Sequence, residues 1–527
     1  MIRRLSVVAC CLGALLLIRL LDRPLRFALS FSLLFLFFTG PCGSQVQAQP
    51  VQTQSDPPSD SAVKQDSTKS TAASTPWNFL LMLGDDTSYH DLGCYGSPNV
   101  KTPHIDQLSE QSLRFEFAFN TAPMCAPTRM ALYTGIYPVR NGAYPNHSAV
   151  YPDVRSLPHY LQPLGYSVAL LGKRHYRPVE NFPFEYLGGR DHDGGKGLDL
   201  DLDVARQFIQ RHTEDPWCLV VASNQAHTPW TRGNPAAYQP KDLQLPDYLV
   251  DTPKTRQALT KYYAEITYLD QQVGTMLEIL QESGQADRTV VVFLSEQGSN
   301  LPFAKWTCYE AGLRSAALFR VPGMTKAGST TPALMQYIDV LPTFIELAGG
   351  TVPADTLDGR SLVPVLKGDT DQHHPAVFGV QTSRGIIRGP EAFGIRSVRN
   401  DRYRLVWNLN HQSQFQNTVT EGGGPAGVFD SWKRQAEKGN AEAAKAVERY
   451  RHRPEFELYD VQADPWNQHN LIQQPELQGT VQDLKNQLDA WMTQQGDLGV
   501  ETELKALERI PGKSSGTKDS ASQEDGD

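Results

Sequence analysis

The sequence predicts an α/β protein: a large, mostly parallel mixed sheet sandwiched by helices, with a smaller C-terminal α+β subdomain built on an antiparallel sheet. Two patterns predict it. From Trp77 onward, short apolar runs of β type (79–83, 167–171, 219–222 and 289–294) alternate with longer helical patterns such as 105–112 and 258–281. Near-continuous apolar runs between helices are what strands buried on both faces look like. After about Pro375 the texture changes to polar, amphipathic strand candidates at 393–398, 403–407 and 456–459, closed by a helix at 477–493. Half-buried antiparallel strands under a covering helix have that alternation. Composition bounds the answer, because 527 residues with 40% hydrophobic, 20% charged, 41 Gly and 36 Pro exclude a collagen-like, coiled-coil or wholly disordered chain. The net charge of -9, from 49 basic and 58 acidic residues, offers no positive field for a polyphosphate backbone, so no nucleic-acid partner is expected.

Taken in order, residues 1–48 read as an export leader: Arg3 and Arg4 precede the apolar run 5–21, and a second run, 27–38, follows the basic break at Arg23 and Arg26. Val46-Gln47-Ala48 presents small residues where a signal peptidase cuts, which predicts an exported, periplasmic or secreted mature chain from Gln49. An uncleaved leader would be a membrane anchor, the sole membrane contact the sequence suggests. Pro41 and Phe38 make Cys42 a poor lipid-attachment site. Residues 49–75 are Ser, Gln, Asp, Thr and Pro with little to bury, hence a flexible tether. Residues 76–374 then form the main domain and 375–511 the C-terminal subdomain, with an insertion carrying a helix at Gly422-Gly-Gly-Pro425 and the charged stretch 433–453, and 512–527 is a solvated tail. Outside the leader, Cys94, Cys125, Cys218 and Cys308 are too widely spaced for a disulfide framework. Cys94 and Cys218 read as small buried hydrophobes.

In open α/β sheets ligands bind beyond the carboxyl ends of the strands. Each of the four apolar runs ends in reactive groups: Asp85-Asp86, Lys173 with His175, Gln225 with His227, and Glu296-Gln297. One such group is an ordinary strand-end cap, but four together suggest a site. Asp85, Asp86, Glu296 and Gln297 supply only oxygen, which suits a hard cation, Ca²⁺ before Mg²⁺, and no Cys/His cluster speaks for structural zinc. Pro127 fits a first helical turn and Gly135 closes the helix, so Cys125 stands at a helix N-terminus, where anions bind and a thiol is acidified. Nucleophilic thiolate catalysis is therefore one role open to Cys125.

Cys125-x-Pro127-x-Arg129 followed by Leu132-Tyr133-Thr134-Gly135 resembles the formylglycine motif of the type I sulfatases, which belong to the alkaline-phosphatase-like superfamily. The resemblance runs along nearly the whole mature chain, through Asp85-Asp86, Asp91-Leu-Gly-Cys-Tyr-Gly96, Thr102-Pro-x-Ile-Asp106, Gly172-Lys173-x-His175, 305–314 and Glu457-Leu-Tyr-Asp460. Pro302-Phe-Ala-Lys305-Trp-Thr and Trp491-Met-x-x-x-Gly-Asp497 are similar to the heparan N-sulfatase-like branch. It implies that a maturation enzyme oxidises Cys125 to formylglycine, whose hydrated gem-diol attacks sulfur. It also implies a divalent cation held by Asp85, Asp86, Glu296 and Gln297 together with residue 125. Arg129 would hold the diol or thiol, Lys173 and Lys305 would meet the sulfate charge, His175 would accept a diol proton, and His227 would protonate the leaving oxygen or nitrogen. Glu296-Gln297 departs from the family's usual Asp followed by Asn or His, each side chain longer by one methylene, and Gln225-Ala-His227-Thr-Pro229 lacks the leading proline of Pro-His-x-Pro.

The implied function is an exported sulfatase acting on a sulfate ester or sulfamate, on a sulfated glycan. Two rivals are a phosphoester or phosphonate hydrolase on the same scaffold and a non-catalytic sulfated-glycan binding protein. Sugar contacts are expected from 228–251, 178–198 and the C-terminal subdomain, with Trp230, Trp306 and Trp407 as stacking or packing residues.

Overall fold

The computed structural model describes residues 76–190, 199–386, 389–390, 392–420 and 425–512. The expected leader, tether, glycine run 422–424 and nearly all of the tail lie outside the described residues. Among the described residues, thirteen strands form two sheets: β1 (Asn78–Gly84), β2 (Leu113–Phe119), β3 (Ser167–Gly172), β4 (Glu185–Tyr186), β5 (Trp217–Ala222), β6 (Thr289–Ser295), β7 (Arg314–Ser315), β8 (Ala317–Arg320), β9 (Ser329–Gln336), β10 (Val377–Gln381), β11 (Ile395–Arg399), β12 (Tyr403–Asn408) and β13 (Phe456–Asp460). The nine-stranded sheet runs β4-β3-β5-β1-β6-β8-β2-β7, with β9 paired to β2. Neighbours from β4 to β6 are parallel, β8 is antiparallel to β6 and β2, and β9 is again parallel to β2. The second sheet is antiparallel, β10-β11-β12-β13. Both belong to one compact unit, Ala73–Asp527.

The apolar runs fill both faces. In β1, Leu80 and Met82 pack toward a core containing Tyr262 and Leu269, while Phe79, Leu81 and Leu83 pack toward Met130, Tyr133 and Phe344. Successive strand residues point to opposite faces, so an unbroken apolar run needs a cover on each. The covers are α1 (Pro103–Glu110), α2 (Cys125–Thr134), α3 (Leu202–Arg211), α4 (Pro253–Glu282) and α5 (Val340–Leu347). The longest, α4, begins where the Thr252 hydroxyl accepts the Thr255 N–H and Pro253 takes the first turn, a position that needs no donor. The four apolar runs become β1, β3, β5 and β6, adjacent in the order β3-β5-β1-β6. The remaining strands of the large sheet were not among them: β2 carries Arg114 and Glu116 between its aromatics, a pattern that suits a strand away from the centre.

In the C-terminal region the three strand candidates are β11, β12 and β13, and β10 adds the edge. The charged insertion forms two helices, α6 (Val428–Glu437) and α7 (Ala441–Arg451), separated by the Asn440 cap, rather than one. The final helix is α8 (Gln478–Gln495); its Val481, Leu484 and Leu488 join Val398, Leu405 and Leu458 of the small sheet in one core.

Candidate active site

Four parallel strands end side by side, and their carboxyl ends deliver the acidic and basic groups to one place. Asp85 and Asp86 follow β1, Lys173 and His175 follow β3, His227 follows β5, and Glu296 and Gln297 follow β6. The opposite wall is the start of α2. Met124 is extended and lends no side-chain cap, so Cys125 enters the helix with the first backbone N–H groups uncapped by a side chain. At the other end Gly135 adopts the left-handed conformation that stops the helix.

The charged groups form alternating pairs. Lys173 Nζ lies 2.5 Å from Asp85 Oδ2, and Lys305 Nζ lies 2.7 and 2.8 Å from the two oxygens of Asp86. Lys305 also lies 3.3 Å from Cys125 Sγ. Arg129, wholly buried, places Nε 2.6 Å from Glu296 Oε1 and Nη2 4.0 Å from Asp85 Oδ2, and Nη1 donates to the Lys173 carbonyl. Gln297 Nε2 donates to Asp86 Oδ1 at 2.5 Å and lies 3.3 Å from Cys125 Sγ. His227 Nδ1 is 2.6 Å from the Thr228 carbonyl, which can only accept, so Nδ1 carries the proton and Nε2, 3.8 Å from Asp86 Oδ2, is the other ring nitrogen. His175 Nε2 lies 3.1 Å from His147 Nδ1.

Burial disfavours charge on every group here, and the pairings decide the outcome. Burial alone would raise Asp85, but Lys173 and the neighbouring donors hold it well below the usual carboxylate range. Burial pushes Glu296 well up, with Asp85 adding to it and Arg129 opposing. Burial would strip a proton from Lys173 and from Lys305, yet Asp85 and Asp86 respectively keep both ammonium groups above their ordinary range. Burial, Lys305 and Lys173 together push His227 down to about 4.

A divalent cation fits this arrangement. One ligand atom each from Asp85, Asp86, Cys125 and Glu296 lies within 4.8 Å of the others, and the buried Asp85 Oδ1 and Gln297 Oε1 have no hydrogen-bond partner. The oxygen donors of Asp85, Asp86, Glu296 and Gln297, with two adjacent carboxylates among them, suit Ca²⁺ or Mg²⁺ better than zinc.

The sulfatase family profile matches residues 77–350, and a profile described as N-sulphoglucosamine sulphohydrolase, C-terminal, matches 298–417. The chain belongs to the sulfatase family. It is 30% identical to an ulvan-active sulfatase of Formosa agariphila over 85% of each chain. It is 28% identical to human N-sulphoglucosamine sulphohydrolase over 80% of this chain and 91% of that one. Among solved structures, a protein in complex with its substrate D-glucosamine-2-N,6-O-disulfate superposes with a TM-score of 0.62 at 19% identity, covering 81% of this chain and 99% of the other. These relations make this type I sulfatase a sulfuric ester hydrolase related to the heparan N-sulfatase branch.

The fold of this sulfatase brings Asp85, Asp86, Cys125, Arg129, Lys173, His227, Glu296, Gln297 and Lys305 into one connected cluster, and His175 contacts His147. Sequence reading missed His147, whose positive φ of 60° is shared with His175 at 47° and Asp86 at 48°. Its signal was weak, a lone His in Asn146-His147-Ser148. Tyr262 was missed as well: its hydroxyl donates to the Asp86 carbonyl and accepts the Ser88 N–H, pinning the Asp86 turn to α4. Of the three tryptophans, Trp407 stacks on Phe456, Trp306 lies under Lys305 and Trp230 packs on Tyr262.

Proposed function

We propose that this sulfatase is an exported enzyme that hydrolyses a sulfate ester or sulfamate on a sulfated carbohydrate, using a formylglycine made from Cys125 and a bound divalent cation, Ca²⁺ before Mg²⁺. The observation that carries this reading is the position of Cys125: the first residue of a buried helix, 3.3 Å from both Lys305 and Gln297, beside three carboxylates. Asp85, Asp86, Glu296 and Gln297, together with residue 125, would hold the cation. When in place, the formylglycine hydrate supplies a hydroxyl nucleophile and the cation supplies positive charge near the sulfate oxygens.

The chain's own residues do the rest. Lys173 and Lys305 stay protonated because Asp85 and Asp86 face them, so both offer fixed positive charge to an anionic sulfate. Arg129 lies against Glu296 and Asp85 and orients the carboxylates, which in turn keeps the residue-125 end of α2 in register with them. His227, its Nδ1 fixed by the Thr228 carbonyl, presents Nε2 to the leaving oxygen or nitrogen, and His175, beside His147, serves the proton on residue 125. The negative charge of a bound sulfate opposes the lysines that depress His227 and favours its protonated, donating form. The relatives support a carbohydrate substrate: one is named for ulvan, another for an N-sulfated glucosamine. Export rests on the leader at 1–48.

Cys125 is 2% exposed, so a maturation enzyme must reach it before the chain folds. The deciding experiment is mass spectrometry of the peptide containing Cys125 from active protein made with a formylglycine-generating enzyme. An aldehyde at that residue, and a thiol with no turnover when the enzyme is withheld, is the expected result. Full turnover by the unmodified thiol overturns the reading and leaves thiolate chemistry.

A further inference from the structure

A second cluster of metal-ligating side chains lies away from the site just described, where the end of β9, the start of α5 and the segment leading into β10 meet. Asp339 is wholly buried in the turn before α5, and His373 and His374 come from the segment before Val377. His374 Nε2 is 2.9 Å from Asp339 Oδ1, and His373 Nε2 is 3.2 Å from Asp339 Oδ2. The two imidazole rings meet edge to face, 4.4 Å between centroids, and one ligand atom from each of the three residues falls within 4.8 Å of the others.

We propose that Asp339, His373 and His374 form a binding site for Zn²⁺, a site of different chemistry from the oxygen cluster at the strand ends. Three features argue for it. The first is donor type: two imidazole nitrogens and one carboxylate oxygen are a set that zinc takes readily and that Ca²⁺ and Mg²⁺ do not. The second is spacing. Zinc bound tetrahedrally at about 2.0–2.2 Å from each ligand holds neighbouring ligand atoms roughly 3.3 Å apart, close to the 2.9 and 3.2 Å found here.

The third is direction. His373 is 93% buried by its side chain, and its Nε2, although 3.2 Å from a carboxylate oxygen, makes no hydrogen bond to it. In an N–H···O bond the ring nitrogen aims at the oxygen; in a chelate the nitrogen and the oxygen aim at a common third point, and each lies off the other's axis. The His373–Asp339 contact, short yet not a hydrogen bond, is compatible with the second arrangement.

The carboxylate is also held in place as metal-ligating carboxylates are. The Gln336 N–H donates to Oδ2 at 2.8 Å and the Arg360 N–H to Oδ1 at 2.9 Å, so the backbone fixes the carboxylate, while His374 Nε2 lies within hydrogen-bond distance of both oxygens, at 2.9 and 3.0 Å. Gly359 lets the Arg360 segment come this close: a Cβ there would sit 1.9 Å from the Ile338 carbonyl. That same segment donates the Asp358 and Gly359 N–H groups to the Gly135 carbonyl at the far end of α2. A zinc ion here ties the approach to the antiparallel sheet to the turn that anchors the helix of Cys125. Both histidines are partly exposed as residues, although their side chains are largely buried.

The test uses the full chain in calcium-containing buffer, incubated with ZnCl₂, desalted and assayed for zinc and calcium by elemental analysis. The expected result is one zinc per chain in the wild type, weakened roughly tenfold or more in both His373→Gln and His374→Gln, with calcium content unchanged. Equal zinc in the wild type and both variants, or none retained by the wild type, overturns the proposal. A measurement on the wild type alone guards against misfolded variants: zinc should protect His373 and His374 from carbethoxylation, mapped by peptide mass spectrometry. Equal labelling with and without zinc overturns it too.

Discussion

Two residues carry predictions that their immediate surroundings explain. His227 sits between Asp86 and the Thr228 carbonyl, with Nε2 as its working nitrogen. His227→Ala should therefore lower turnover of sugar sulfates, whose alkoxide leaves only with a proton, about 100-fold more than turnover of activated aryl sulfates, since general acid catalysis supplies roughly 10²–10⁴-fold. Equal losses across leaving groups of different acidity would reduce His227 to a sulfate contact. Asp91, also buried, is pushed up to about 7 by burial, with Tyr262 and Tyr263 only partly offsetting it. A carboxyl raised in the folded state contributes its stability in full below the unfolded value near 4 and loses it as pH rises through about 7. Asp91→Asn, which stays neutral, should leave stability at pH 4 nearly unchanged and raise it at pH 8 by on the order of a few kcal/mol. Urea denaturation at both pH values checks this; an equal effect at both would mean that Asp91 is not the titrating group.

Between elements, the junction of the two sheets is held by buried charge. Glu310, in the short helical turn Glu310–Leu313, lies 2.6 Å from Arg404 of β12 and 3.5 Å from Arg399 of β11, all three essentially unexposed. The guanidiniums also lie over Phe119 of β2, joining the small sheet to the large one. Glu310→Gln would leave two buried cations without their counter-charge, a loss of about 3–5 kcal/mol. Hydrogen exchange should find β11 and β12 opening first in that variant. None of this was legible from the strand pattern, which located β11, β12 and β13 but said nothing of what their inward arginines meet. A polar residue on a strand reads as solvent-facing unless its partner, some ninety positions away in the case of Arg404 and Glu310, is known to be near. The insertion is similar: its charge predicted one helix, and the Gly439-Asn440 break between α6 and α7 was overlooked although both residues favour a helix end.

At the scale of the whole molecule, the carboxylates at the ends of β1 and β6 set strand ends against one another unless positive charge stands between them. Lys173, Lys305 and Arg129 supply part of it. Adding Ca²⁺ to chelator-treated protein should therefore raise Tm with concentration, by about 2.7 kcal/mol of stability at one hundred times Kd, and Asp86→Ala should abolish the rise. An unchanged Tm would argue against a cation at this site. By itself the sequence determined the α/β class, the four strands β1, β3, β5 and β6, the two-sheet division, and the residues that gather at the strand ends. It could do so because apolar periodicity and strand-end chemistry are local properties, written in consecutive residues. The tertiary structure alone decided that β8 runs against its neighbours, that Lys173 faces Asp85 while Lys305 faces Asp86, that His147 meets His175, and that Asp339 meets His373 and His374. Those pairings depend on strand order and on where long connections return, and many strand orders satisfy the same pattern of apolar and polar residues.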